Sequence, residues 1–290
     1  MNFDYSDDQK YLKDEARKYL AAHSPPECVR ALVGHPGIGY DRAVWDGIVG
    51  QGWLGISIPE EFGGLGLGLI ELCAIAEELG RVCAPVPFAS TLYFFAEALL
   101  LAGSKGQQQQ WLPKVASGEI IGCLAAAERP GPITYENVEA EVINGRLTGV
   151  KSPVPDGGIA DAAIVLARSS GKLGLFLARL DDVPRTSLDT IDPSRGASTL
   201  TFAGTPVEPL AEDCETEFAT LMNRAAVLVS FEQLGGADRC LEMAREFALG
   251  RFAFGRSIAS YQAIKHKLAD MYIKNELARA HAYYGAWALE

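Results

Sequence analysis

Five side chains that can carry positive charge lie close together in one short stretch of this acidic chain. They are Arg251, Arg256, Lys265, His266 and Lys267. No Asp or Glu occurs between residues 247 and 269, although the whole chain has a formal net charge of -11. A cluster of cations in an acidic protein indicates a site for a polyanion, such as a phosphate group. A solvated basic helix face is the alternative, and charge alone does not decide between the two.

The cluster lies at a break between two predicted helices. Phe254 and Gly255 interrupt one helical pattern, and a second pattern begins near Tyr261. The apolar face of the second pattern holds Ile264, Leu268, Met271 and Tyr272. Free backbone N–H groups at a helix start favour anions, so basic side chains at this point are consistent with a bound phosphate or carboxylate.

The chain that precedes this cluster changes character twice. Up to about residue 119, apolar residues follow helical spacing, beginning at the capping box Ser6–Gln9. From Ile120 to about Leu210, short runs rich in Val, Ile, Leu and Thr alternate with Gly, Pro and Asp, which predicts strands. From Glu215 onward the pattern is helical again, and Gly235–Gly236 within it predicts a close contact between helices.

These changes predict an α+β, multi-domain fold. We expect an N-terminal helical domain over residues 1–119, a central antiparallel β-barrel domain over 120–211 and a C-terminal helical bundle over 212–290. The last domain is expected to be shortened, because the sequence ends at Glu290 within a helical pattern.

Composition narrows the class of protein. The hydrophobic fraction of 48% and the charged fraction of 22% are typical of a globular domain. Apolar runs are too short to cross a bilayer and the acidic start lacks a signal-peptide core, so we expect a cytoplasmic protein without a membrane partner. The acidity argues against nucleic acid as a partner. Six cysteines without CxxC spacing predict buried free thiols and no metal site.

Residues 251–271 also carry a more specific pattern. It reads Arg-x-x-Phe-Gly, then Ile258, then Gln262-Ala263, then Leu-Ala-Asp-Met. This pattern resembles the flavin-contacting signature of the acyl-CoA dehydrogenase family. The resemblance implies that Arg251 and Gln262 hold the pyrophosphate of FAD, commonly the FAD of a neighbouring subunit. Arginine suits this role because it forms charge-assisted, often bidentate bonds with phosphate oxygens.

Other segments extend the resemblance. Phe254 and Gly255 match the family's cofactor-binding turn, where an aromatic ring is expected to pack nearby. Residues 52–66 are similar to the family's first-domain signature, and a dinucleotide-binding loop is not predicted there because Leu69 replaces its third glycine. Glu77–Glu78 resembles the family's acidic pair, although a solvated helix end explains these carboxylates equally well.

The activity implied by the resemblance is FAD-dependent α,β-desaturation of an acyl-CoA thioester by an oligomer. In this chemistry a carboxylate removes the α proton while FAD accepts the β hydride. The catalytic residue is unknown from the sequence. Most family members carry the base in helices beyond the point that corresponds to Glu290, and some carry it at the position of Ala225. Glu232 lies about two helical turns farther on and is not expected to replace it.

The central region departs from the family where its members hold the flavin ring. Their Thr-Glu-Pro phrase corresponds here to Ala-Glu-Arg-Pro-Gly-Pro at 127–132, and their Lys-x-aromatic-Ile-Thr phrase to Lys-Ser-Pro-Val-Pro at 151–155. The hydroxyls and the aromatic ring that contact the flavin are missing.

This departure leads to the hypothesis that the chain is one of two unlike subunits of an acyl-CoA dehydrogenase. Such enzymes in the family degrade steroids and other bulky acyl chains. The chain would donate its Arg and Gln to FAD seated mainly in the partner. The alternative is a non-catalytic structural or regulatory partner of an acyl-CoA dehydrogenase.

Overall fold

The computed structural model describes residues 5–33 and 39–290 of the chain. The described residues divide into two compact units. The first unit contains residues up to 26, 68–84 and 226–290, and the second contains 27–33, 39–67 and 85–225. Each unit therefore combines segments that are distant in sequence. The domain boundaries near residues 119 and 211 stay a prediction.

The order of elements along the chain is helices, then strands, then helices, as predicted. The α-helices are α1 (Asp7–His23), α2 (Pro26–Val33), α3 (Arg42–Gly50), α4 (Leu69–Arg81), α5 (Glu97–Ala102), α6 (Lys105–Ala116), α7 (Glu215–Gly250) and α8 (Gln262–Leu289). The strands are β1 (Gly122–Ala125), β2 (Glu141–Ile143), β3 (Arg146–Pro155), β4 (Ala162–Ser169), β5 (Lys172–Arg179), β6 (Arg185–Leu188), β7 (Ala197–Glu212), β8 (Phe252–Ala253) and β9 (Arg256–Ser257). A π-helical segment, Ala89–Ala96, leads directly into α5.

The first unit contains α1, α4, α8 and the part of α7 after residue 225. Helices α4 and α7 approach each other at glycines. A Cβ atom added to Gly235 would overlap the carbonyl oxygen of Glu77, and one added to Gly80 would overlap the carbonyl oxygen of Glu232. Gly235 of the glycine pair in α7 therefore serves helix packing, which confirms the close helix contact predicted from the sequence.

Two buried carboxylates connect the helices of the first unit. Glu77 is 2% exposed and Glu78 is 1% exposed. Glu77 forms an ion pair with Lys13 at 2.5 Å and accepts a hydrogen bond from Arg279 at 2.9 Å. Arg17 binds both oxygens of Glu78 at 2.7 and 3.0 Å. The interpretation of this pair as a solvated helix end is wrong. Carboxylates at this depth must be paired, because an unpaired buried charge costs several kcal/mol.

The second unit is built around a closed ring of five strands. Strand β4 pairs with β5, β5 with β7, β7 with β3, β3 with β2, and β2 closes the ring onto β4. Strands β1 and β6 attach to β4 and β7 respectively. The predicted barrel is confirmed, but β4 runs parallel to β1 and β2, so the sheet is mixed. Long connections permit parallel pairing, which a hairpin cannot provide.

All six cysteines are thiols outside any disulfide, as predicted, but three of them are not buried. Cys83 and Cys240 are exposed and Cys28 is intermediate. No helix in residues 5–33 and 39–290 combines the length and apolarity needed to cross a membrane. Within the same residues, no group of three His, Cys, Asp or Glu side chains is arranged to hold a metal ion.

Candidate cofactor site

The break between α7 and α8 is a small antiparallel hairpin. Phe252 pairs with Ser257 and Ala253 pairs with Arg256. The ladder extends by one pair, because the amide of Ile258 donates to the carbonyl oxygen of Arg251 at 2.8 Å. Arg251 therefore lies where α7 passes into the hairpin, and Gln262 is the first residue of α8. The sequence predicts the break, but the hairpin emerges only in the structure.

The tip of the hairpin is strained. Phe254 has a φ of 53° and Gly255 a φ of 78°, so both central residues have the positive φ that type I′ turns require. The left-handed region suits Gly255 but is unfavourable for Phe254, because its Cβ crowds the following carbonyl. The ring of Phe254 is 97% exposed. Within the described residues the ring therefore has almost no packing contact, and its expected packing at the cofactor-binding turn stays a prediction.

We expect Phe254→Asn to stabilise the hairpin by about 1 kcal/mol, because Asn-Gly is a preferred type I′ sequence and tolerates positive φ. The measurement is the free energy of unfolding, together with hydrogen-exchange protection of the Ile258 amide. Phe252→Asn is the matched control, because it makes the same exchange outside the turn. If Phe254→Asn leaves the free energy of unfolding unchanged or lowers it, the ring of Phe254 makes a stabilising contact.

The cations around the hairpin have no carboxylate partner in the described part of the chain. Arg251, Arg256, Lys265 and Lys267 are exposed, and none takes part in a salt bridge there. The first turn of α8 contains no acidic residue and no capping side chain. The exposed side chain of Gln262 stands at the same helix end. This donor set of guanidinium, amide and helix N-terminus fits a diphosphate.

Residues 127–132 and 151–155 of the barrel correspond to the family's flavin-ring site, and hydrogen bonds connect these two segments. The amide of Ser152 donates to the carbonyl of Ala127 at 2.8 Å, and the Ser152 hydroxyl shares a hydrogen bond with Thr199 at 2.8 Å. Lys151 is 0% exposed and donates to Glu128 at 2.7 Å. Burial lowers the pKa of Lys151, and the bond to Glu128 opposes that effect.

The residues at the positions of the family's ring contacts offer little to a flavin ring. Ala127 has no side-chain donor, and Pro153 and Pro155 have no amide hydrogen. Glu128 accepts from the amides of Glu139 at 2.8 Å and Ala140 at 3.0 Å. The donor set of the barrel therefore does not fit the polar edge of an isoalloxazine ring, whereas that of the hairpin fits the diphosphate.

Glu97 and Glu232 are the two acidic residues to compare with the position of Ala225, where some family members carry the catalytic base. Ala225 is buried in α7, and its neighbour Arg224 forms an ion pair with Glu97 at 2.6 Å. Burial raises the pKa of Glu97, while the charge of Arg224 acts in the opposite direction. Sequence reasoning did not single out Glu97, although an acid inside the apolar run of residues 95–99 is a detectable signal. Glu232 belongs to the glycine contact between α4 and α7.

Comparison with known proteins agrees with this architecture. Residues 6–119 match the profile described as acyl-CoA dehydrogenase, N-terminal domain, and residues 217–290 match acyl-CoA dehydrogenase, C-terminal domain. The acyl-CoA dehydrogenase IpdE2 of Mycobacterium tuberculosis is 34% identical over 277 residues, which cover 94% of this chain and 74% of that protein.

Two solved structures are similar over nearly the whole chain. The ChsE4–ChsE5 complex from Mycobacterium tuberculosis matches with a TM-score of 0.89 and 30% identity, covering 99% of this chain and 79% of the other. A steroid ACAD variant formed by Tcur3481 and Tcur3483 matches with a TM-score of 0.86 and 29% identity, covering 97% and 77%.

The chain belongs to the acyl-CoA dehydrogenase family, whose members are oxidoreductases that use FAD. The similarity to the ChsE4–ChsE5 structure covers 99% of this chain and so includes both its helical and its β parts.

Proposed function

We propose that the chain is a subunit of a heteromeric acyl-CoA dehydrogenase and completes a flavin site whose ring-binding half lies in a partner subunit. Arg251 and Gln262 are its contacts to the diphosphate of FAD, and Phe254 and Gly255 form the turn that presents them. The substrate is an acyl-CoA thioester. The protein works in the cytoplasm.

The observation that supports this proposal most directly is the contrast between the two half-sites. The hairpin displays exposed cations without a carboxylate partner in the described residues. In the barrel, by contrast, Lys151 and the Ser152 amide are already bound within the chain, and Ala127 and Pro153 carry no donor. A chain that seated FAD by itself would need both halves. A chain that reaches toward a flavin held elsewhere needs only the first.

The names of the similar structures support a heteromeric assembly. One is a complex of two different proteins, ChsE4 and ChsE5, and the other is a steroid ACAD formed by Tcur3481 and Tcur3483. We infer by this similarity that the acyl group is bulky, such as a steroid side chain.

FAD, this chain and the partner subunit each have a distinct role in the reaction. FAD, when bound, accepts a hydride from the β carbon of the thioester. Arg251 and Gln262 of this chain bind and orient the cofactor through its diphosphate. Ala225 offers no base at the position used by some family members, and a carboxylate of the partner that removes the α proton is consistent with this.

The test is to produce the chain alone and together with a candidate partner that carries the ring-binding hydroxyls and a carboxylate base. We expect the isolated chain to purify with little FAD and the complex to carry it. Arg251→Ala should weaken FAD binding by the complex at least about 10- to 100-fold, because a charged hydrogen bond is lost. Visible flavin absorbance after gel filtration measures the occupancy.

Lys274→Ala is the matched control, because it removes the same charge from α8 three turns away from Gln262, at an exposed position. Full FAD occupancy and dehydrogenase turnover by the isolated chain would contradict the proposal. Complexes that retain FAD equally well with Arg251→Ala would support the alternative, a non-catalytic structural or regulatory partner.

A further inference from the structure

Arg256 shares a face of the hairpin with Arg251. Opposite residues of an antiparallel ladder project to the same side, and so do residues two apart on one strand. Ala253 is opposite Arg256, and Arg251 lies two residues before Ala253. Arg251 and Arg256 are therefore diagonal neighbours on one face, roughly 7–8 Å apart. The sequence spacing of five residues did not indicate this, because the pairing of the two strands on either side of the turn was not predicted.

The opposite face of the ladder is engaged with the end of α7. The hydroxyl of Ser257 donates to the carbonyl oxygens of Ala248 at 2.8 Å and Leu249 at 3.0 Å. This anchor satisfies carbonyl groups at the helix end and fixes which face of the hairpin turns outward. The two arginines belong to the other face.

Tyr261 holds Arg256 in place. The guanidinium carbon of Arg256 lies 4.0 Å from the centre of the Tyr261 ring, within the range of a cation–π contact. The hydroxyl of Tyr261 donates to the carbonyl oxygen of Ala253 at 2.9 Å. Its own carbonyl accepts the amides of Ile264 and Lys265 at the start of α8. Tyr261 therefore joins the hairpin to the helix that begins with Gln262.

Two neighbouring guanidinium groups repel each other unless an anion lies between them. No carboxylate in the described residues forms a salt bridge with Arg251 or Arg256. Stacking on Tyr261 restricts Arg256 before any ligand arrives, which lowers the entropy lost on binding. A diphosphate carries two phosphates and offers each guanidinium its own set of oxygens.

We propose that Arg256 is a second phosphate-binding side chain of the flavin site and that Tyr261 is its positioning residue. This inference rests on the proposed function, since the diphosphate is that of FAD. Arg251 and Arg256 bind the diphosphate together from one face of the hairpin, and Tyr261 sets the direction of the Arg256 side chain.

The experiment measures the dissociation constant of FAD, and its dependence on salt, for the complex of the chain with its flavin-bearing partner. Arg256→Gln should weaken FAD binding about 10-fold, as expected for the loss of one charged hydrogen bond, and should flatten the salt dependence. Lys274→Gln is the matched control and should change neither quantity. Riboflavin, which has no phosphate, should bind equally well to all variants.

The Arg251→Ala variant separates the two proposals. If Arg251→Ala weakens FAD binding but Arg256→Gln does not, the proposed function stands and the role of Arg256 is refuted. If neither variant affects binding, the proposed function fails together with this inference.

A double-mutant cycle tests Tyr261. Tyr261→Leu removes the ring and the hydroxyl, and it should weaken FAD binding to a similar degree as Arg256→Gln. The double variant should be little worse than either single variant, because Tyr261 acts through Arg256. Additive losses would instead assign Tyr261 a structural role only, and Tyr261→Phe, which keeps the ring, should retain most of the affinity and the salt dependence.

Discussion

Gly235→Ala should destabilise the protein by about 3 kcal/mol or more, the upper end of the range for overpacking, because the new methyl group meets backbone that cannot rotate away. Its Cβ would overlap the carbonyl oxygen of Glu77 and lie 3.0 Å from the amide nitrogen of Arg81. Relief requires α4 and α7 to separate. Separation would also disturb the ion pairs of Glu77 and Glu78, which depend on the same helix.

The neighbouring Gly236 provides a matched control. A Cβ at Gly236 would lie 3.5 Å from the carbonyl oxygen of Gly80, an ordinary contact distance. Gly236→Ala should therefore be neutral or should stabilise α7 by up to about 1 kcal/mol through helix propensity. Urea unfolding followed by circular dichroism gives both values, provided that the slope with denaturant is unchanged. Equal effects at the two positions would show that close helix approach is not what selects glycine at 235.

Glu128→Ala should destabilise the barrel by about 3–5 kcal/mol, because it leaves the ammonium group of Lys151 buried without its charged partner. Lys151 is completely buried, and its other contact is the carbonyl oxygen of Ala126 at 3.1 Å. The same change frees the amides of Glu139 and Ala140. The measurement is again the free energy of unfolding.

A double variant separates two causes of this destabilisation. One is the unpaired charge of Lys151, and the other is the loss of the contacts between the Glu128 side chain and the two amides. Glu128→Leu combined with Lys151→Met replaces the ion pair with apolar groups of comparable volume, and such replacements are often neutral. We expect it to recover most of the stability lost in Glu128→Ala. A double variant as unstable as the single one would show that the amide contacts of Glu128, and not the buried charge of Lys151, dominate.

The Glu128–Lys151 pair also predicts how the free energy of unfolding changes with pH. Burial alone would raise the pKa of Glu128, but its bonds to Lys151, Ala140 and Glu139 together bring the pKa below the ordinary value. A carboxyl group with a lowered folded pKa adds stability above the ordinary glutamate pKa of about 4.3 and loses it as pH falls toward the folded value. The stability difference between wild type and Glu128→Gln should therefore shrink in acid. A stability difference between wild type and Glu128→Gln that stays constant down to the acid transition would contradict this prediction.

Local patterns predicted the elements of the fold because they depend on neighbours in sequence. The capping serine Ser6 lies where the sequence places a helix start. The glycine pair in α7 predicted a close helix contact. Strand β6 has only four residues and little apolar character, so it carries no alternating pattern from which a strand could be predicted.

The partners of charged residues could not be predicted. Glu77 meets Lys13 and Arg279, which are 64 and 202 residues away in sequence. Glu97 meets Arg224 in the same way. Such pairs form only when packing brings distant helices together, and no local spacing encodes that choice. For the same reason, both Glu77 and Glu78 could be interpreted as solvated.

The sequence by itself determined the chemistry of the candidate site. Arg251 and Gln262 are recognisable because their pattern is local. The absence of Asp and Glu around them is likewise evident from the amino-acid sequence. Only the tertiary structure decided that Arg256 joins Arg251 on one face and that Tyr261 holds it. The physical reason is that side-chain direction depends on the register of the hairpin, which is set by backbone hydrogen bonds and by the positive φ of Phe254 and Gly255.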